Sequence, residues 1–174
     1  SVTVTDNNLC TDTISANISQ PIAALSLSTT QNNVICFGEN NGAIDLTVSG
    51  GTSPYSYLWS NGATTEDMSV LIANTYSITV TDNNLCTDTI STTVTQPADI
   101  ILNTTVTPVR CGGESNGAIQ LNISNGVSPF TFLWSNGITT QNLNNLIIGT
   151  YTVILTDNTN CQDSISATIS EPTP

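Results

Sequence analysis

The sequence predicts an all-β protein made of tandem antiparallel β-sandwich modules of about 75 residues. Three observations carry that expectation. The chain repeats itself, its apolar residues alternate with period two in short runs, and Gly, Asn and Pro punctuate those runs. No segment sustains the 3.6-residue period of an amphipathic helix.

The repeat sets the frame. Residues 36–97 laid over 111–172 at an offset of 75 give 32 identities in 62 positions. Residues 1–21 match 77–97 at an offset of 76 with 16 identities in 21. The chain is therefore expected to hold the C-terminal part of one module at 1–21 and two complete modules at 22–97 and 98–174. One extra residue near Ile22–Ala24 accounts for the change of offset.

Taken in order, Leu25 with Leu27, and Ile100 with Leu102, mark a first strand in each module. Ile44, Leu46 and Val48 share one face of the next, as do Ile119, Leu121 and Ile123. Tyr55, Tyr57 and Trp59 form a further face, echoed by Phe130, Phe132 and Trp134, and core packing is the expected role of both tryptophans. Tyr76, Ile78 and Val80 make another strand, and Ile90 with Val94 the last. Asn41-Gly42, Gly50-Gly51, Asn61-Gly62 and Asp82-Asn83-Asn84 supply turn chemistry between them. Tyr76 and Tyr151 follow Leu71 and Leu146 by five residues, a spacing like that of a tyrosine corner. Modules close on Gln20-Pro21, Gln96-Pro97 and Glu171-Pro172. Proline cannot donate to a ladder and restricts its predecessor, so short stiff junctions and end-to-end stacking are expected.

Composition excludes several functions. The chain has one basic residue, Arg110, against 13 acidic ones, for a formal net charge of -12, and it contains no His and no Lys. Ser, Thr and Asn make up 70 of the 174 residues, so uncharged polar groups do most of the solvating. Phosphate neutralisation needs clustered cations, which excludes nucleic-acid binding. An anionic membrane surface would repel the chain, and no apolar run approaches the roughly 20 residues of a spanning helix. The commonest general base and the Schiff-base amine are missing. Glu66 and Asp67 are adjacent and, on a strand, would point to opposite faces, so they make no acid–base pair. No catalytic residue, cofactor or metal site is expected. Without a basic n-region followed by an apolar stretch, the chain reads as an internal stretch of something longer.

Cys36 and Cys86 are 50 residues apart, and so are Cys111 and Cys161. Lacking His and further ligand clusters, these cysteines are expected to form disulfides, which places the protein outside the cytoplasm. Two periodic pairings fit. One joins Cys36 to Cys86 and Cys111 to Cys161 within modules, leaving Cys10 for a partner outside the chain. The other joins Cys10 to Cys36 and Cys86 to Cys111 across junctions, leaving Cys161. Loop entropy does not choose, at roughly 4 kcal/mol for the longer loop and roughly 3.5 for the shorter. The pairing within modules is the expected one, because a small module needs its own staple.

The string Cys36-Phe37-Gly38-Glu39-Asn40-Asn41-Gly42, then Gly50-Gly51-Thr52-Ser53-Pro54 through Trp59-Ser60-Asn61-Gly62, Thr75-Tyr76, Thr81-Asp82 through Cys86 and the closing Gln96-Pro97 resembles the SprB repeat. The second copy departs at Asn125 in place of Gly50 and at Phe130 and Phe132 in place of the two tyrosines. The resemblance implies an immunoglobulin-like sandwich in a very large cell-surface adhesin of gliding Bacteroidota, exported by type IX secretion and serving as a stalk or filament without catalysis. Neighbouring repeats of the same chain are the expected partners, and the sequence leaves open whether rods also assemble laterally into a fibre. Bacteria of that phylum attach O-glycans at Asp followed by Ser or Thr and an apolar residue. Asp12-Thr13-Ile14, Asp88-Thr89-Ile90 and Asp163-Ser164-Ile165 match, which marks Thr13, Thr89 and Ser164 as O-glycosylation candidates.

A calcium- or carbohydrate-binding extracellular module is the alternative. Its basis is the acidic residues shared by both modules, Glu39 and Glu114, Asp82 and Asp157, Asp88 and Asp163. Calcium takes six to eight oxygens, and three recurring carboxylates make a weak cage. Asp45, Glu66 and Asp67 become Gln120, Gln141 and Asn142, so a site built on them would exist in one module alone.

Overall fold

The computed structural model describes residues 1–18 and 23–171. Gln20-Pro21, Ile22 and Pro172, to which the sequence assigns junctions and the offset residue, lie outside the described residues. Among the described residues the chain forms strands and connections and no helix. The strands are β1 (Val2–Thr5), β2 (Thr11–Ile14), β3 (Ser26–Asn32), β4 (Gly42–Ser49), β5 (Ser56–Trp59), β6 (Met68–Leu71), β7 (Asn74–Thr81) and β8 (Thr87–Val94). They continue with β9 (Ile101–Thr107), β10 (Gly117–Ser124), β11 (Thr131–Trp134), β12 (Leu143–Leu146), β13 (Gly149–Thr156) and β14 (Gln162–Ile169). Each repeat contributes two three-stranded sheets, β3-β4-β6 with β5-β7-β8 and β9-β10-β12 with β11-β13-β14. The registered pairs are antiparallel.

The chain divides into two compact units, one of residues 1–29, 46–66 and 77–90, the other of residues 30–45, 67–76 and 91–174. The second contains the whole second sandwich. Alternation drives it: Ile119 and Leu121 of β10 point inward while Gln120 and Asn122, each one residue further on, face solvent. Val153 and Leu155 of β13 and Ala167 and Ile169 of β14 come from the facing sheet and join them in one core with Trp134. Full burial of each Leu, Ile or Val is worth about 1.5–3 kcal/mol, so roughly ten such side chains suffice for a small sandwich.

Polar groups inside this unit are tied. Trp134 is buried and its Nε1–H donates to the Thr140 carbonyl at 2.9 Å, so the ring packs as core while its polar atom is satisfied. Tyr151 donates to the Ile147 carbonyl at 3.2 Å and Tyr76 to the Ile72 carbonyl at 3.1 Å, each four residues upstream. These are the tyrosine corners that the spacing predicts.

In the first unit, β5 pairs with β7 from Ser56↔Thr81 to Trp59↔Ile78, and Trp59 Nε1–H donates to the Thr65 carbonyl at 2.9 Å. Hairpin β1–β2 pairs Val2 with Ile14 and Thr5 with Thr11, the register in which β13 meets β14 at Val153↔Ile165 and Thr156↔Gln162. Its apolar residues Val2, Val4 and Ile14 are exposed, whereas Val153 and Leu155 are fully buried.

Two local expectations change. Asn41-Gly42 is not a turn: Gly42 opens β4, and a Cβ there would sit 2.7 Å from Val94 Cγ1 and 2.8 Å from the Leu71 carbonyl oxygen. Glycine is needed for close approach, and Gly117 repeats the arrangement against Ile169 and Leu146. Glu66 and Asp67 lie in a bend before β6 and not on a strand. Gly50, by contrast, is a left-handed turn residue (φ 64°), and Asn125, which replaces it, keeps φ 63° and donates from Nδ2 to the Asp99 carbonyl at 2.8 Å.

Candidate functional site

The five cysteines fall into two local settings. The first is the loop between the opening two strands of a repeat. Ile35 N–H donates to Asn41 Oδ1 at 3.0 Å, Asn41 Nδ2 donates to Glu39 Oε2 at 2.7 Å, and Glu39 N–H donates to the Cys36 carbonyl at 3.3 Å. Val34 N–H to the Thr95 carbonyl at 2.9 Å and Gly38 N–H to Gln96 Oε1 at 3.0 Å fasten this loop beside the end of β8.

The second setting is a tight turn organised by an aspartate. Asp157 Oδ1 accepts from the Thr159 and Cys161 amides at 2.8 and 3.0 Å, and Oδ2 accepts from Val127 N–H at 3.0 Å. Asp82 does the same with Asn84, Cys86 and Thr52 at 2.8, 2.9 and 2.9 Å. Asp6 holds Asn8 and Cys10 at 2.8 and 2.9 Å. Asp82 and Asp157 are buried. Burial raises their pKa, yet the hydrogen bonds more than offset it, from Cys86, Thr52 and Asn84 for Asp82 and from Thr159, Val127 and Cys161 for Asp157. Both carboxyls therefore titrate below the ordinary value of 3.8. The turn chemistry that the sequence assigns to Asp82-Asn83-Asn84 is thus an Asx turn, with bonded amides two and four residues after the aspartate, and Asp6 and Asp157 repeat it.

One loop and one turn meet. Cys36 is bonded to Cys161, with Cα atoms 5.5 Å apart, across a sequence separation of 125, and both residues belong to the second compact unit. Neither expected pairing matches. Cys36 is not joined to Cys86 or to Cys10, Cys111 is not joined to Cys161 or to Cys86, and Cys10, Cys86 and Cys111 are exposed free thiols.

The reason lies in the strand geometry. Within the second sandwich, Val109 N–H reaches the Ser170 carbonyl and Gly117 abuts Ile169, so the Cys111 loop lies at the end where β14 finishes. The Asp157–Cys161 turn lies where β14 begins. Eight residues of strand span about 25 Å, far beyond disulfide reach. The two cysteines of one repeat thus occupy opposite ends of its sandwich. A cleft of about 590 Å³ borders the bond, with Ile35, Phe37, Gln96, Ile100, Val127 and Gln162 among its walls.

The other candidates are placed as follows. Thr13, Thr89 and Ser164 are exposed at the third position of β2, β8 and β14, each with its amide bonded to the preceding aspartate at 2.9, 2.8 and 2.7 Å. Glu39 and Glu114 accept from Asn41 and Asn116 in the cysteine loops. Asp82 and Asp157 spend their oxygens on amides. Each carboxylate thus serves its own turn, and among the described residues no three His, Cys, Asp or Glu side chains gather at one point.

Two segments, residues 28–64 and 103–139, match the SprB repeat family. No curated protein sequence matches the chain. Among solved structures, the chain is similar to the three N-terminal domains of the Highly Immunogenic Outer Capsid protein (Hoc) of bacteriophage RB49, with a TM-score of 0.45 and 17% identity over 85% of this chain and 59% of that one. Domains 1–6 of the surface layer protein SbsC align with a TM-score of 0.30 and 17% identity over 87% of this chain and 29% of that one. The N-terminal four Ig domains of Dscam1 isoform 6.9 align with a TM-score of 0.30 and 10% identity over 90% and 48%. The chain thus spans about three fifths of the Hoc structure and less of the other two.

Proposed function

We propose, for a chain that carries two SprB repeats, that its work is mechanical and adhesive: it is a strut in a cell-surface filament or stalk. The observation that carries this reading is the Cys36–Cys161 bond, which ties a loop of one repeat to a turn of the next. Disulfides persist outside the cytoplasm, in keeping with a surface protein. A load along the chain passes through the bridge, so the residues between the two cysteines are shielded, while β14, which follows Cys161, stays in the load path. The net charge of -12 and the abundance of Ser, Thr and Asn suit a long exposed polymer that stays soluble without binding nucleic acid.

The finer reading follows the family resemblance. The repeats belong to an adhesin of gliding Bacteroidota exported by type IX secretion, and Thr13, Thr89 and Ser164 carry O-glycans on the outer faces of β2, β8 and β14. Those hydroxyls are exposed and free of core packing, which suits an attached sugar. Intact-mass analysis of native material checks this: peptide masses without added hexose would remove the glycan reading and leave the strut.

Single-molecule pulling from the two termini tests the mechanical role. With the bond intact, the residues between Cys36 and Cys161 stay out of the extension, so reduction is expected to release about 44 nm of further contour length at ~3.5 Å per residue. Equal extension before and after reduction would refute the load-bearing bridge.

A further inference from the structure

Cys111 lies in a loop that repeats the three internal hydrogen bonds of the Cys36 loop. Arg110 N–H donates to Asn116 Oδ1 at 3.1 Å, Asn116 Nδ2 donates to Glu114 Oε2, and Glu114 N–H donates to the Cys111 carbonyl at 3.2 Å. The turns copy one another as well. Leu9, Leu85 and Asn160 precede their cysteines with φ of 64°, 65° and 65°, and each cysteine amide is held by its aspartate. What differs is cover. Cys161, bonded to Cys36, is buried, whereas Cys10 and Cys86 are exposed beside Leu9 and Leu85, themselves 83% and 82% exposed. Cys111 is likewise exposed, at the end of its sandwich opposite the bonded turn.

The separation of 125 is the 50-residue spacing within a repeat plus one period of 75. A bond with that spacing can recur at every step of a repeating chain. We propose that Cys36–Cys161 is one member of a regular ladder, in which the loop cysteine of each repeat bonds the turn cysteine of the repeat that follows. Cys111 is then the loop half for a further repeat of this kind, and Cys86 and Cys10 are the turn halves for the loops of earlier ones. Covalent linkage runs the length of the array without any bond inside a repeat. This goes beyond the surface role and stands if the adhesive reading fails.

Each bond forms by thiol–disulfide exchange with a protein or small-molecule disulfide as oxidant. One cysteine thiolate attacks the oxidant, giving a mixed disulfide and one oxidant thiolate. The partner cysteine thiolate then attacks the cysteine sulfur of that mixed disulfide and expels the second. Two thiols become one disulfide, two protons leave, and the oxidant takes two electrons.

The test is the full chain extended by a third repeat, with residues 98–172 copied after Pro172 and marked in the added copy by Ile101→Val and Gln162→Thr. It is refolded in glutathione and glutathione disulfide, cleaved before aspartate without reduction, and mapped by mass spectrometry. The expected map links the marked turn peptide of the added copy to the unmarked Cys111 peptide, alongside Cys36–Cys161, with the added loop cysteine free. A Cys111→Ser form is expected to retain Cys36–Cys161 and free the added turn cysteine for alkylation. A marked turn linked to its own marked loop, a Cys86–Cys111 link, or a free Cys111 beside a formed Cys36–Cys161 would each overturn the ladder.

Discussion

Asp157 and Cys161 bond each other in both directions: the Cys161 amide donates to Asp157 Oδ1 at 3.0 Å, and the Asp157 amide donates to the Cys161 carbonyl at 2.9 Å. The disulfide sulfur is thereby fixed to a turn that also anchors the Val127 loop through Asp157 Oδ2. The covalent link to Cys36 therefore rests on a hydrogen-bonded carboxylate.

Asp157→Asn keeps the shape and removes the charge that three amides face. Hydrogen bonds to charged groups are worth about 1.5–3 kcal/mol, so the substitution is expected to destabilise the protein by about 2 kcal/mol in urea unfolding.

The same carboxylate sets an acid dependence. Its folded pKa is depressed, so the unfolded chain binds more protons between the two values. The stabilisation is full above the ordinary value of 3.8 and is lost as pH falls through the lower folded value. Asp82 acts in the same direction. Thermal unfolding followed from pH 5 downward is expected to show a falling Tm in the parent and a shallower fall in Asp157→Asn.

Cys36→Ser combined with Cys161→Ser removes the bridge without leaving an unpaired thiol at that site. Closing so long a loop restricts the unfolded chain, and the loss is expected to be about 5 kcal/mol from chain entropy. Chemical denaturation of the double variant against the oxidised parent measures it. Reduction of the parent should lower its stability by a similar amount.

The two tyrosine corners differ in cover. Tyr76 is buried and its bond to Ile72 is partly so, while the Tyr151 bond to Ile147 is exposed. Tyr76→Phe is expected to cost about 1 kcal/mol and Tyr151→Phe about half that, by urea midpoint at unchanged slope.

Gly42→Ala places a methyl within 2.8 Å of the Leu71 carbonyl oxygen, which is backbone and cannot move aside as a side chain can. Overpacking of this kind costs about 1–3 kcal/mol. Backbone amide exchange across β4 and β6 is expected to speed up in the variant.

Much of the fold was legible because alternation is local. Ile44, Leu46, Trp59, Ile78 and Val80 announce their buried faces by period two, and the copies at Ile119, Leu121, Trp134, Val153 and Leu155 repeat it. Strands β6 and β12 were not so readable. Each buries its two ends and exposes its middle, and Val70 and Asn145 carry φ of 59° and 57°, which breaks the alternation. Asn41-Gly42 looked like a turn because close packing and positive φ both select glycine. The cysteine pairing was the least accessible. Spacing gives the period of the bonds, but only the lengths of β13 and β14 place the two cysteines of one repeat at opposite ends.

A covalent bond joins consecutive repeats, and a non-reduced peptide map of the refolded 174-residue chain reads that bond out. Cleavage before aspartate separates Cys36 into residues 12–44, Cys111 into 99–156 and Cys161 into 157–162, with Cys86 in 82–87 and Cys10 in 6–11. The predicted map contains 12–44 linked to 157–162 and no linkage within a repeat. Recovery of 12–44 linked to 82–87 or 6–11, or of 99–156 linked to 157–162, would contradict it.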